Sequence, residues 1–152
     1  MKITRATTRD VAALVALMTS SPLLRRYGVT SGGARASIVD ARRSGDLLLV
    51  ARERREIAGL VWIVPTRALD RAAYLRLLLV AEGRQSSGVG ARLLEEGERR
   101  ARRLGCRHMV LLVTTTNRGA RSFYRRQRYR YVGSLPGFVR PRIGESLYAK
   151  TL

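Results

Sequence analysis

The stretch Leu77-Leu78-Leu79-Val80-Ala81-Glu82-Gly83-Arg84-Gln85-Ser86-Ser87-Gly88-Val89-Gly90 changes character in its middle. Its first part is an apolar run of strand length. Glu82 to Ser87 is short, polar and contains a glycine, and Gly88 to Leu104 then carries Val89, Leu93, Ala101 and Leu104 on one helical stripe, stopped by Gly105. A strand that enters a helix through such a loop leaves the first N–H groups of the helix unpaired at the positive end of its dipole. Small residues at Ser86, Ser87, Gly88 and Gly90 let an anion approach the main chain closely. The loop reads as an anion cradle or, if the glycines are taken alone, as an ordinary turn built for tight packing. It lacks the Gly-Lys-Ser/Thr of a P-loop, and Leu93 stands where a dinucleotide fingerprint needs its third glycine. A diphosphate ester bound by main-chain contacts is the ligand class that remains.

Upstream, Lys2 to Arg5 reads as a strand, and Thr7 or Thr8 caps a helix carrying Val11, Leu14, Val15 and Met18, broken at Ser21-Pro22. A second helix runs from Thr30 or Ser31 to Arg43 and stops at Gly45. Asp46 to Arg52, Glu56 to Val64 and Tyr74 to Val80 form a three-stranded meander. Downstream come a strand at His108 to Thr115, a helix at Asn117 to Arg126, a strand at Tyr129 to Gly133 and, beyond a Pro/Gly loop, a last strand at Gly144 to Thr151. A meander followed by a β-α-β-α-β half predicts an α/β (mixed α+β) fold, as one domain over residues 1–152.

The only cysteine, Cys106, cannot form an internal disulfide, and no signal segment opens the chain, so the expected location is cytoplasmic. Apolar runs are strand-sized, so no membrane span is expected. The formal charge of +19 suits a polyanionic partner. Yet Lys2 and Lys150 are the only lysines among 30 basic residues, and the arginines are scattered, which reads as compositional bias. No nucleic-acid motif or basic stripe is present, so a nucleic-acid partner is not favoured.

The second informative segment is Asn117-Arg-Gly-Ala120-Arg-Ser-Phe123-Tyr124, where helical spacing brings Asn117, Ala120 and Tyr124 to about one face. Singly, Asn117 reads as an N-cap, Phe123 as core and Tyr124 as an amphipathic residue with a wet hydroxyl.

Together with Gln85-Ser-Ser-Gly88-Val-Gly90, this helix resembles the GNAT superfamily of N-acetyltransferases, whose loop signature is Gln/Arg-x-x-Gly-x-Gly/Ala between its fourth strand and third helix. The resemblance covers the whole chain. It implies a central, mostly antiparallel mixed sheet of six to seven strands, a parallel pair at the cofactor cleft, and about four flanking helices. It further implies transfer of an acetyl group from acetyl-CoA, without a metal, to a primary amine of a small molecule or protein, by a monomer or homodimer. The pantetheine arm is expected between the strands ending near Val80 and Thr115. Leu78, Leu79, Val80, Gln85, Ser86, Ser87, Gly88, Val89, Gly90, Ala91, Asn117, Ala120 and Phe123 are then the cofactor-binding set. Val80 and Glu82 supply amides to the arm, the Val80 N–H faces the thioester oxygen, and Tyr124 protonates the departing thiolate.

The expected strand carboxylate of the family is absent from Tyr74 to Val80, which leaves Glu82 as the nearest base, Asp70 and Glu145 as more remote ones, and a water chain as an alternative. His108 reads as structural, and no Cys/His spacing suits a metal. Arg84, Arg118, Arg121 and Arg125 are candidates for the 3′-phosphate. Residues from Thr7 to Arg43 are expected to line the acceptor side, where Tyr27 is the aromatic. Net charge disfavours a polycationic acceptor. The alternatives are an RNA-associated acceptor, such as aminoacyl-tRNA or a ribosomal protein, and a non-catalytic binder of nucleic acid or coenzyme A.

Overall fold

Seven strands build one sheet in the computed structural model, which describes Met1–Leu152. They are β1 (Lys2–Arg5), β2 (Leu47–Glu53), β3 (Glu56–Pro65), β4 (Ala73–Val80), β5 (His108–Thr114), β6 (Arg130–Arg140) and β7 (Ile143–Thr151). The helices are α1 (Val11–Ser20), α2 (Pro22–Arg26), α3 (Ser31–Arg43), α4 (Val89–Arg103) and α5 (Arg118–Arg126), with a 3₁₀ turn at Thr8–Asp10. Strand order is β1-β2-β3-β4-β5-β7-β6, antiparallel throughout except for the parallel pair β4–β5. This is the mixed α+β architecture expected from the sequence. No helix is long and apolar enough to cross a membrane.

Strand alternation sends side chains to opposite faces of the sheet, and each face is covered by its own helices. Val61, Ile63, Leu111 and Tyr148 pack with Leu93 of α4 and Tyr124 of α5. Val50, Leu60 and Trp62 pack with Leu14 of α1 and Ile38 of α3. On the α4 side, the buried Glu98 carboxylate accepts hydrogen bonds from the Tyr129 hydroxyl (2.8 Å) and Lys150 Nζ (2.7 Å), which ties α4 to the far end of the sheet.

The feature that creates the site is a β-bulge in β4. Trp62 lies opposite Leu77 and Ile63 opposite Leu75, so Arg76 has no partner on β3. A bulge bends its strand and raises the local twist. The parallel pairing with β5 covers only Ala73–Leu75 against Met109–Leu111 and stops at this bulge. Beyond it the two strands part, which leaves a cleft between Leu77–Val80 and Leu112–Thr114.

Three expectations are corrected. The break at Ser21-Pro22 opens a further short helix, α2, because Ser21 Oγ accepts from the Leu24 N–H (3.3 Å) and Pro22 occupies the first turn, where its missing N–H costs nothing. The strand expected at Tyr129 to Gly133 runs instead from Arg130 to Arg140, so the Pro/Gly segment is part of a hairpin with β7. Its edge position tolerates Pro136, and Gly137 at φ +61° allows the return, since a Cβ there would lie 2.9 Å from the Pro141 carbonyl oxygen. Leu104, expected on the buried stripe of α4, is 52% exposed at the helix end, and Leu94 and Gly97 complete the stripe.

Gly59 on β3 sets how closely α4 begins against the sheet. A Cβ at this position would stand 2.8 Å from the Leu79 carbonyl oxygen and 2.9 Å from Leu93 Cδ1. The first of these is main chain and cannot rotate away. Gly59→Ala should therefore lower stability by about 1–3 kcal/mol, as overpacking of a close-packed core does, and thermal unfolding followed by circular dichroism measures it.

Candidate active site

The loop after β4 is built by three left-handed turns. The last β3–β4 rung is the Ala81 N–H to the Ala58 carbonyl (2.9 Å), and the Arg84 N–H then bonds back to the Ala81 carbonyl (3.0 Å) around Gly83 at φ +77°. Ser86 (φ +62°) and Gly88 (φ +83°) follow, and the first rung of α4 is Arg92 N–H to the Gly88 carbonyl (3.1 Å). Between these points the main-chain N–H groups from Gln85 to Ala91 find no acceptor in the chain. The Ser87 hydroxyl donates to the Arg84 carbonyl and steadies the loop. The outer side of the loop is open, since a Cβ at Gly88 would meet nothing within 4 Å. Left-handed residues alternating along exposed amides, at the start of a helix, make a concave donor set of the kind that suits a diphosphate.

The cleft continues from this cradle. In an antiparallel ladder a residue whose neighbour carries the rung turns its own N–H and C=O outwards. Because Ala81 bonds Ala58, Val80 opposite Gly59 points its main chain into the cleft, and so does Leu78 two residues back. Leu79 points its carbonyl towards Gly59 on β3, so this member of the expected cofactor set offers no main chain to the cleft. Glu82 is exposed in the turn beyond the strand and is not part of the cavity wall, because the chain curls away at Gly83. Asp70, also exposed, lies in the β3–β4 loop.

On the side of α1–α3 the cleft opens into a cavity of about 630 Å3. Tyr124 reaches it from α5 and is 7% exposed, with its ring edge-on to Phe123 (5.1 Å between centroids) and Tyr129 (5.6 Å). Burial raises its pKa well above that of a free phenol, so it stays protonated. Its hydroxyl has no hydrogen-bond partner within the chain and lies free for a ligand. The ring is buried while the hydroxyl opens on the cavity. Asn117 caps α5 by accepting from the Ala120 N–H (3.0 Å), and both residues also line the cavity. Phe123 stands behind Gly90, where a Cβ would touch its ring at 3.7 Å.

The opposite wall holds one of the two more remote carboxylates considered from the sequence. Glu145 on β7 is 2% exposed and lines the cavity, with Thr114 beside it in register on β5. Tyr27, at the end of α2, reaches across to donate its hydroxyl to Glu145 Oε1 and lies 2.7 Å from Thr114 Oγ1. Burial, and then the hydrogen bond to the carboxylate, push the Tyr27 phenol up. Arg140 fastens this arrangement by donating through Nε (3.0 Å) and Nη2 (2.7 Å) to the Tyr27 carbonyl. Tyr27 and Glu145 are separated by 118 residues, so no spacing rule connects them; the only signals in the sequence were an aromatic on the acceptor side and a carboxylate near the end of the sheet.

The arginines proposed for a phosphate are in mixed situations. Arg84 is engaged by Glu53 (2.5 Å) and Glu56 (3.8 Å), and Arg121 by the Tyr148 hydroxyl (3.1 Å) and the Thr115 carbonyl (3.2 Å). Arg125 bonds Ser122 (3.3 Å), and Arg118 has no partner. His108 opens β5, with Nδ1 3.3 Å from Thr151 Oγ1 and away from the cavity.

The chain resembles many solved structures over nearly all of its length. Ard1 from Thermoplasma volcanium superposes with a TM-score of 0.85 at 19% identity, covering 99% of this chain and 97% of that one. Ribosomal-protein-alanine N-acetyltransferase from Brucella melitensis gives 0.79 at 20% identity, with 100% of both chains covered. An aminoglycoside 6′-N-acetyltransferase complexed with coenzyme A gives 0.84 at 17%, covering 99% and 97%. At these identities the likeness is one of fold. No curated protein matches the chain in sequence. The family model described as Acetyltransferase (GNAT) family matches residues 17–129, which span the meander, the open loop and α5, and the chain therefore belongs to the GNAT acetyltransferase family.

Proposed function

We propose that this protein transfers the acetyl group of acetyl-CoA to a primary amine, with Tyr124 as the proton donor and Glu145 as the proton acceptor. The observation that carries this reading is the run of unpartnered N–H groups from Gln85 to Ala91, continuous with a cleft that leads to a buried phenol and a buried carboxylate. When bound there, acetyl-CoA supplies an activated acetyl thioester. The amides from Gln85 to Ala91 would hold the diphosphate, and the outward main-chain groups of Leu78 and Val80 would hold the extended arm. The Val80 N–H, fixed in a strand, is a donor for the thioester oxygen that needs no reorganisation. Tyr27 orients Glu145 to take a proton from the attacking nitrogen, and Tyr124 gives one to the sulfur as the carbon–sulfur bond breaks and the carbon–nitrogen bond forms. Both proton carriers belong to this chain, so no metal is required by the scheme.

Titration calorimetry with acetyl-CoA tests the cradle. The protein should bind it, and Gly88→Glu, which sets a carboxylate among the free amides, should weaken binding at least tenfold. Absence of binding by the unaltered protein would remove the reading.

A second reading of the acceptor has one observation in its favour. Arg92, Arg99 and Arg102 of α4 meet Arg126, Arg128 and Arg130 around a groove away from the cavity, whose positive charges outweigh those of Glu95 and Glu98 and suit docking of an acceptor carried on RNA. Steeply salt-dependent binding of tRNA would favour it.

A further inference from the structure

Two arginines line the cavity besides Glu145: Arg140, which is bound to the Tyr27 carbonyl, and Arg76. Arg76, the residue extruded by the β4 bulge, is exposed, lines the cavity and has its guanidinium 4.7 Å from the centre of the Trp62 indole. Trp62 is itself held, since its Nε1–H donates to Asp46 Oδ2 at 2.7 Å. The guanidinium makes no salt bridge or hydrogen bond in the chain, so an aromatic platform presents a cation whose polar edge is unused. Stacking of this kind orients an arginine while leaving its N–H fork available to a carboxylate. Tyr74 lies two residues before Arg76 and lines the same cavity, with Glu145 close enough to act on its phenol along with Arg76. Much of the wall on this side is apolar, with Met18, Leu23, Leu24, Val29 and Leu77, and Thr30 and Ser37 add two hydroxyls.

On the reading that this cavity takes the acceptor of an acetyl transfer, we infer that the acceptor is a small amphoteric amine, an apolar amino acid or a close analogue, whose amino group meets Glu145 while its carboxylate pairs with Arg76. The two charges recognise the two ends of one molecule, and the apolar wall accommodates its side chain. A polycationic acceptor is opposed by Arg76 within the cavity as well as by the net charge outside it. The interior offers one carboxylate, already hydrogen-bonded by Tyr27, which suffices for a single ammonium group.

The experiment compares phenylalanine with phenethylamine, which differ by the carboxylate, in a thiol-release assay with acetyl-CoA on the unaltered protein and on Arg76→Gln, Arg76→Lys and Arg76→Glu. Phenylalanine should be preferred in kcat/KM over phenethylamine at equal concentrations of the unprotonated amine. Arg76→Gln should lower that preference at least tenfold, Arg76→Lys should keep part of it, and Arg76→Glu should invert it. The effect should fall on KM more than on kcat, because Arg76 binds a remote group. Equal losses for both amines on Arg76→Gln, or a preference for phenethylamine or for a peptide N-terminus in the unaltered protein, would overturn the inference. So would failure of both amines in a protein that binds acetyl-CoA. Failure to bind acetyl-CoA at all would instead count against the acetyl-transfer reading itself.

Discussion

Glu145→Gln should reduce kcat/KM for an amine acceptor by about 10²- to 10⁴-fold at neutral pH, the range in which a positioned general base contributes. A primary amine with a pKa near ~10 arrives mostly as ammonium, and a nitrogen that still carries its proton has no lone pair to offer. Glu145 is the only carboxylate in the cavity wall, it is 2% exposed, and its one direct partner is a phenol that donates to it. Glutamine has nearly the same shape and can still accept from Tyr27, so the fold should survive the exchange and the change reports on proton transfer. The sign of the pH dependence is diagnostic. As pH rises, more of the amine enters already neutral and the base is needed less, so the gap between the two proteins should narrow. A gap that is constant from pH 7 to pH 10 would mean that Glu145 positions the acceptor without taking its proton. Tyr27→Phe removes only the orienting hydrogen bond and should produce a smaller loss in the same direction.

Tyr124→Phe should lower turnover by about 10²-fold or more while acetyl-CoA affinity in calorimetry stays nearly constant. The ring packs edge-on between Phe123 and Tyr129, and phenylalanine preserves both contacts, so the variant isolates the hydroxyl. Burial raises the phenol, which makes the side chain a weaker acid than in water. A thiolate departing beside this ring would lose hydration as well, which would raise its proton affinity for the same reason. Donor and acceptor would thus shift together. The assay is release of free thiol under saturating acceptor. Equal turnover in the two proteins would remove Tyr124 from the chemistry and leave it as packing between α5 and the sheet.

The predictions differ in how far they were accessible before the fold was known. The open loop follows from local spacing, a glycine-bearing stretch between an apolar run and an amphipathic helix, whereas spacing only brings Asn117, Ala120 and Tyr124 to one face and the family resemblance singles out Tyr124. Helix and turn geometry act over a few residues, and such signals are written in a few residues. The order of strands was readable for a similar reason, because apolar runs and turn residues mark each element. The base was not. Glu82 is nearest the loop in sequence, but Gly83 turns it outwards, whereas Glu145 enters the cavity only because β7 pairs with β5 and places it beside Thr114.

What the amino-acid sequence determined by itself is therefore the succession of elements and the loop of unpaired amides at the start of α4, since each depends on neighbours along the chain. The tertiary structure alone decided the cleft, through a bulge at Arg76 that ends the β4–β5 pairing, and the meeting of Tyr27 with Glu145 across 118 residues. Register between distant strands is set by the packing of both faces of the sheet at once, a property of the whole chain that no window of sequence contains.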